Sequence, residues 1–376
     1  MRVRCVWAWM VLVLWVTAAA DKTAVAQPAP AENLEGSKVT LDAADAPLAD
    51  VLQDLARQSG NKPLVVPKGF QDVRLTLHLR SVPYWQALDE IGRRAGLYLA
   101  SYDTLEPTLP GPFEDVGVYL GPVALKLANV YSHRGFAKWC PGKSLGYAFV
   151  CSWEDRLCVL GGRATFTRVL TDGGVELKPQ RDLCIISPGT RYTEGDVVSL
   201  LPHGYMTVFF RDIPPQTRSV AKVSGTLSLD VAVGRREVVI EDALGGGARG
   251  ATNDGLTLKV VATERVNQFF CVVLDAERDG KPTPLAGFQQ GAPYGVCLVD
   301  PAGRLVRGSL GRARDMHVPS LTEGLKALAA KAGEGTRFAF FSDFPEKGGP
   351  WSLRYSCPEK MLVLEEHFKF ENLPLP

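Results

Sequence analysis

The segment from Val39 to Ala100 constrains the fold most, because strand-like and helix-like patterns of apolar residues follow one another within it. Pro47 and Pro83 mark the beginnings of two helices, since a proline in the first turn of a helix loses no hydrogen bond. Gly60 and Gly96 follow at positions that favour the left-handed conformation in which helices end. Each predicted helix has one apolar face, formed by Leu48, Val51, Leu52, Leu55 and Ala56 in the first and by Ala87, Leu88, Ile91 and Ala95 in the second.

Four short strands are predicted around these helices. They contain Val39 with Leu41, then Leu64–Val66, then Val73–Arg80, and finally Leu97–Leu99. In the third strand apolar and polar side chains alternate, so one face is predicted to be buried and the other to face water. The polar side chains of that strand are Arg74, Thr76, His78 and Arg80. The segment is therefore predicted to form a βαββαβ unit.

Six short runs in this segment also resemble a known family. They are Val39–Asp42, Ala46–Leu52, Ala56–Gly60, Leu75–Leu77, Val82–Leu88 and Ala95–Leu97. In order and spacing they look like the secretin and TonB short N-terminal domain, over about a sixth of the chain. The resemblance implies a small periplasmic docking domain that contacts partner proteins and carries no catalytic residue. The rest of the chain resembles no characterised family and shows no sign of the outer-membrane pore that follows this domain in larger members.

The N-terminus has the pattern of a secretory signal peptide. Two arginines precede the apolar run Val6–Val16, and the small residues Ala24–Ala26 fit a cleavage site, with Ala18–Ala20 as the alternative. The apolar run is shorter than the roughly 20 residues that cross a bilayer, which favours cleavage over an uncleaved anchor. We therefore expect a signal peptide over residues 1–26, a periplasmic or extracellular location and no transmembrane segment in the mature chain.

The charge of the mature chain is nearly balanced. Without residues 1–26 the chain has 39 basic and 40 acidic residues. Proteins that bind nucleic acid usually carry a strong positive surface, which such a composition does not favour. We therefore expect an envelope protein as the partner and no nucleic acid, and the sequence leaves the oligomeric state open.

Export favours disulfide bonds, and four cysteines lie close together in the sequence. They are Cys140, Cys151, Cys158 and Cys184, and we expect at least one disulfide among them. The spacing Cys-x-x-Cys does not occur, so the usual signatures of a zinc knuckle and of a thioredoxin-like redox pair are missing.

The remaining chain is predicted to be rich in β-strands. Short strand patterns alternate with glycine- and proline-containing turns, and one helix is predicted near Glu323, where Ser320 begins a capping box. The expected fold class is α+β, with a small N-terminal βαββαβ module, a mostly-β region and a C-terminal β-sandwich. The expected divisions are a flexible leader at 27–37, the short N-terminal domain at 38–103, a β-rich domain at 113–213 and a sandwich-like domain at 219–376.

The sequence offers no strong candidate for a catalytic, cofactor or metal site. Gly142–Gly146 fits the serine-hydrolase pattern G-x-S-x-G, but the strand and helix that should flank a nucleophile are not predicted there, so we interpret it as a loop. The five histidines lack metal-binding spacings, although ligands from distant positions could still meet in space. Four aromatic residues are expected either to fill a β-core or to form a binding platform: Trp139, Tyr147, Phe149 and Trp153.

The preferred hypothesis is a non-enzymatic, exported envelope protein that binds a partner through its first domain, without a cofactor. The candidate partner-binding residues are Arg74, Thr76, His78 and Arg80. The alternatives are an extracytoplasmic hydrolase with its site in the β-rich region and a polysaccharide-binding protein that uses exposed aromatic residues.

Overall fold

The computed structural model describes residues 33–101, 104–107, 116–135, 142–181, 183–193, 196–245, 249–266, 269–285, 294–311, 323–341 and 350–375. Strands dominate these residues, which contain only three helices. The strands form two small sheets near the N-terminus and two large sheets, each of which curls until its edge strands approach each other. The predicted α+β class is therefore wrong, because the described chain is mostly β.

The N-terminal module consists of β1 (Lys38–Pro47), α1 (Leu48–Ser59), β2 (Arg74–Pro83), α2 (Tyr84–Ala95), β3 (Leu97–Ser101) and β4 (Thr104–Pro107). β1 pairs with β2, and β3 pairs with β4, in both cases antiparallel. The predicted strand at Leu64–Val66 does not form, so the predicted βαββαβ order is wrong. Val65 makes only an isolated bridge and is 73% exposed. Pro63 and Pro67 enclose this run and cannot donate to a strand ladder, which keeps it too short to form a strand.

The module contains an internal repeat that pairs with itself. Lys38–Gly60 and Arg74–Gly96 match at a constant offset of 36 residues, with the same strand and helix lengths and the same burial pattern in the strands. The antiparallel register relates the two copies by an approximate twofold axis, on which Asp42 lies opposite His78. Both helices follow a proline and end at a left-handed glycine, as predicted, with φ of 73° at Gly60 and 70° at Gly96.

The first curled sheet contains eight antiparallel strands in the order β21-β11-β8-β9-β10-β7-β6-β5. Their bounds are β5 (Gly117–Leu120), β6 (Val123–Gly135), β7 (Gly142–Trp153), β8 (Cys158–Thr171), β9 (Leu183–Thr193), β10 (Asp196–Arg211), β11 (Ser219–Val233) and β21 (Lys360–Pro374). Large aromatic side chains fill its interior: Tyr147, Phe149, Trp153, Phe210, Phe368 and Phe370. Each fully buried side chain of this kind contributes about 1.5–3 kcal/mol to folding.

The second curled sheet forms between β11 and β21 in the chain. Its strands are β12 (Arg236–Ile240), β13 (Arg249–Asn253), β14 (Leu256–Val266), β15 (Phe269–Arg278), β16 (Lys281–Pro282), β17 (Gly295–Val299), β18 (Leu305–Gly311), β19 (Thr336–Phe341) and β20 (Ser352–Cys357). The main order is β12-β20-β17-β18-β19-β15-β14-β13, and β16 pairs with β15. The predicted sandwich is wrong, because one sheet encloses this core and its edge strands β12 and β13 contact each other.

Two elements depart from the expected division of the chain. β11 and β21 both fall within the predicted sandwich, yet they pair with each other and β11 also pairs with β8 of the first curled sheet.

The predicted C-terminal helix is present as α3 (Glu323–Lys331). Its residue Leu325 packs on Val273 and Phe338, which point away from the interior of the second curled sheet.

Candidate functional site

The predicted partner-binding residues lie on the exposed side of β2. Arg74, Thr76, His78 and Arg80 alternate with buried or half-buried leucines, as the sequence pattern indicated. Together with Thr40, Asp42 and Asp45 of β1 they form what we term the outer face of the module.

Two basic side chains of the outer face, Arg74 and His78, each contact an aspartate across the two strands. Arg74 Nε lies 3.0 Å from Asp45 Oδ2, and His78 Nδ1 lies 2.6 Å from Asp42 Oδ1. The backbone N–H of Asp45 donates to Thr76 Oγ1 at 3.1 Å. Sequence reasoning missed both aspartates as members of the site, although their repeat positions, 36 residues before His78 and Ser81, place them on the same pair of strands.

A buried carboxylate attaches the module to the first curled sheet. Glu154 is completely buried and accepts hydrogen bonds from Ser37 N at 2.9 Å and Ser37 Oγ at 2.5 Å. Arg156 Nε lies 2.7 Å from Glu154 Oε2, and the same guanidinium donates from Nη1 to Asn33 O at 2.6 Å and from Nη2 to Glu35 O. Residues 33–37, predicted to be a flexible leader, are therefore tied to this sheet.

Helix α2 provides a second attachment. Trp85 Nε1 donates to Pro122 O at 2.9 Å, and Lys126 Nζ lies 2.7 Å from Asp89 Oδ1. The helices cover the apolar side of β1 and β2, and Ala124 of the first curled sheet belongs to the same core. Because the helical layer contacts the curled sheet, the outer face of the module points away from it.

The serine considered as a nucleophile lies in a strand. Gly142–Gly146, predicted to be a loop, forms the beginning of β7, and Ser144 is buried opposite Arg211 of β10. A regular strand does not provide the sharp turn that exposes a hydrolase serine. The aromatic residues Tyr147, Phe149 and Trp153 lie in the core, whereas Trp139 lies outside the described residues.

The expected disulfide does not form among Cys151, Cys158 and Cys184, which are free thiols; Cys140 lies outside the described residues. β10 separates Cys151 on β7 from Cys184 on β9, and two strand spacings exceed the reach of a disulfide. Cys158 cannot reach Cys184 either, because it lies six positions along β8 from Ala164, the residue opposite Cys184. Burial raises the pKa of Cys151 and of Cys158 to about 12, which keeps both as neutral thiols at neutral pH.

Histidines do not assemble a metal site in the described part of the chain. No group of three or more His, Cys, Asp or Glu side chains there could hold a metal ion. His367 Nδ1 lies 3.0 Å from Thr226 Oγ1, and burial lowers the pKa of His203. The side chain of His133 and all of His317 lie outside the described residues.

Two adjoining clefts of about 470 and 610 Å³ open on the first curled sheet, beside Gln180 and Arg181. The smaller one contains Cys184, whose Sγ–H donates to Thr207 O at 3.3 Å. Burial raises the pKa of this thiol, so the cleft does not present a thiolate.

Among the described residues, no helix has the length and apolar character needed to cross a membrane. Comparisons of the chain with protein-family models, with curated proteins and with solved structures give no match.

Proposed function

We propose that this protein is a non-enzymatic, exported docking protein of the cell envelope, whose N-terminal module binds another envelope protein through its outer face. The observation that carries the proposal is the direction of that face. It lies opposite the helical layer that Trp85 and Asp89 fix to the first curled sheet, so a partner can reach it without displacing any described element.

The chemistry of the outer face agrees with a protein partner. Arg80, the Arg74–Asp45 ion pair and the His78–Asp42 contact provide both signs of charge on one exposed surface. Such mixed surfaces select a partner by complementary charge and register more than by raw affinity. The resemblance of residues 39–100 to the short N-terminal domain of secretins and TonB-linked proteins supports the same function, and the signal-peptide pattern supports the location.

Charge reversal on the outer face tests the proposal. Captures from envelope fractions would compare the full-length protein with the double variant Arg74→Glu, Arg80→Glu. The matched control is Lys62→Glu, Lys68→Glu, because both lysines are exposed in the same module but lie between α1 and β2, outside the outer face. We expect the arginine variant to lose a partner that the lysine variant keeps, while both retain the wild-type circular dichroism spectrum. Equal capture by the two variants would contradict the proposal.

Point variants are preferable to deleting the module. Deletion would remove Trp85 and Asp89, which contact Pro122 and Lys126 of the first curled sheet, and would uncover Ala124. A lost partner could then reflect damage to the first curled sheet.

A further inference from the structure

A row of basic and small side chains crosses the outside of the second curled sheet. Cys297 on β17 lies opposite Arg354 on β20 and opposite Arg307 on β18. Neighbouring residues such as Val296 and Leu298 fill the interior, so these three side chains point outward. The two arginine-bearing strands are about 10 Å apart, and only the small Cys297 side chain stands between them.

The next row on the same side leaves open space. Gly295 pairs with Ser356, and a Cβ atom added at Gly295 would meet no atom of the described residues within 4 Å. Arg235 Nη2 donates to Ser356 Oγ at 3.0 Å and to Glu237 Oε1 at 2.9 Å. Small residues therefore form a floor, and basic or hydroxyl side chains stand around it. One carboxylate lies beside them, because Glu237 also accepts a hydrogen bond from Ser356 Oγ at 3.1 Å. We call this set the arginine cradle: Arg235, Gly295, Cys297, Arg307, Arg354 and Ser356.

Arg354 is the unusual member of the arginine cradle. Its Nε atom is buried and has no hydrogen-bond partner in the part of the chain that the structure describes. Arg235 has Glu237 as a counter-charge, whereas Arg354 has no ion pair with any described carboxylate. Because the Nε atom has almost no accessible surface, a ligand in the cradle would be bound through the terminal nitrogens of the Arg354 guanidinium, for which no described carboxylate competes as an ion-pair partner.

We propose that the arginine cradle binds a phosphate group, either as inorganic phosphate or as the phosphomonoester of a small molecule. Guanidinium groups present a planar fork of donors that suits oxyanions. A tetrahedral phosphate can accept hydrogen bonds from opposite walls at once, which fits arginines on two sides of a floor. A planar carboxylate is bound well by two donors of one guanidinium, so arginines on two sides of it would add less to its binding. This site is independent of the outer face of the N-terminal module.

Cys297 provides the readout, because its thiol lies on the floor where the ligand would sit. The full-length protein is treated with iodoacetamide, and mass spectrometry follows the alkylation rate of each cysteine. The reference is the alkylation rate of Cys297 without added phosphate at the same ionic strength, because burial raises the pKa of Cys158 too far for that thiol to be the control. Inorganic phosphate at about 10 mM is expected to slow alkylation of Cys297 about tenfold for a Kd of about 1 mM.

Two further arms make the test decisive. Acetate at the same ionic strength is expected to give little protection, and glycerol 3-phosphate is expected to protect at least as well as inorganic phosphate if the ligand is a phosphomonoester. Arg354→Gln should abolish protection, whereas Arg163→Gln, an exposed arginine on the first curled sheet, should retain it. The proposal is overturned if phosphate fails to protect Cys297, if acetate protects equally well, or if Arg354→Gln, folded by circular dichroism, is still protected.

Discussion

The outer face of the N-terminal module and the arginine cradle both present arginines, but they differ in how the charges are compensated. On the outer face Arg74 and His78 each lie beside an aspartate, Asp45 and Asp42. In the cradle the buried Arg354 Nε has no partner among the described residues. The difference shows how similar side chains can serve different recognition. Charges beside an opposite charge suit the mixed surface of a protein, whereas an arginine without a described counter-charge suits a small anion.

The largest expected effect concerns the attachment that fixes the outer face in place. Glu154→Gln would leave Arg156, whose side chain is only 13% exposed, without its carboxylate. Removing one member of a buried ion pair costs about 3–5 kcal/mol, so we expect a loss of about 3 kcal/mol in the free energy of unfolding. Urea denaturation followed by circular dichroism measures it. Glu371→Gln, which removes an exposed ion pair to Lys369, should show no measurable change; an equally small change at Glu154 would contradict the attachment.

The internal repeat predicts equal costs at two equivalent positions. Gly60→Ala and Gly96→Ala each force a side chain into the left-handed region, which costs about 1 kcal/mol. Neither added Cβ would meet an atom of the described part of the chain closer than 4.0 Å, so we assign the cost to the backbone. Gly333→Ala is the control, because it has an ordinary φ and open space. Thermal unfolding would refute the equivalence if one variant were as stable as wild type and the other were not.

Replacing Arg354 of the arginine cradle is expected to raise the free energy of unfolding when phosphate is absent. Arg354→Met eliminates an unsatisfied buried donor, and the expected gain is about 1 kcal/mol. The same change at Arg74 removes a compensated, half-exposed charge and should lower stability slightly. Denaturation of both variants in phosphate-free buffer compares them directly. A loss of stability in Arg354→Met comparable with that in Arg74→Met would remove the contrast between the two surfaces.

The smallest expected change in stability concerns the contact between Asp42 and His78, which lies on the approximate twofold axis of the module. Asp42→Asn breaks a contact whose two side chains are 68% and 83% exposed, so we expect a change of at most about 0.5 kcal/mol. Partner capture should nevertheless weaken, because the variant changes the charge pattern of the outer face. Thermal unfolding and capture are measured on the same preparation. Strong destabilisation with unchanged capture would reverse the role assigned to this pair.

Local signals predicted the two helices and the alternating strand β2 of the N-terminal module, although the predicted βαββαβ order was wrong. The prolines at 47 and 83 and the glycines at 60 and 96 bound α1 and α2, and the alternation in β2 gives its buried and exposed sides. The prediction failed at Leu64–Val66, where β-forming residues lie between two prolines. The opposite error concerns Gly142–Gly146, which was predicted to be a loop. Pairing with β6 and β10 holds this turn-like sequence in a strand.

Strand order could not be predicted from local patterns. β8 pairs with β11, and β11 pairs with β21 from the end of the chain, so the first curled sheet depends on contacts between distant segments. Proximity in sequence misled in the same way for one cysteine pair, since β10 enters between the strands of Cys151 and Cys184. The arginine cradle likewise joins Cys297 of β17 to Arg307 of β18 and Arg354 of β20, and these residues form no common sequence motif.

Site-specific photocrosslinking tests docking through the outer face most directly. A photoreactive amino acid would replace Thr76, or Lys62 as the control, in full-length protein made by the cells that produce it naturally. The account predicts a defined crosslinked partner from position 76 that is absent from position 62 and is lost when Arg74→Glu and Arg80→Glu are added. Crosslinks of equal yield from both positions, or none from position 76, would contradict it.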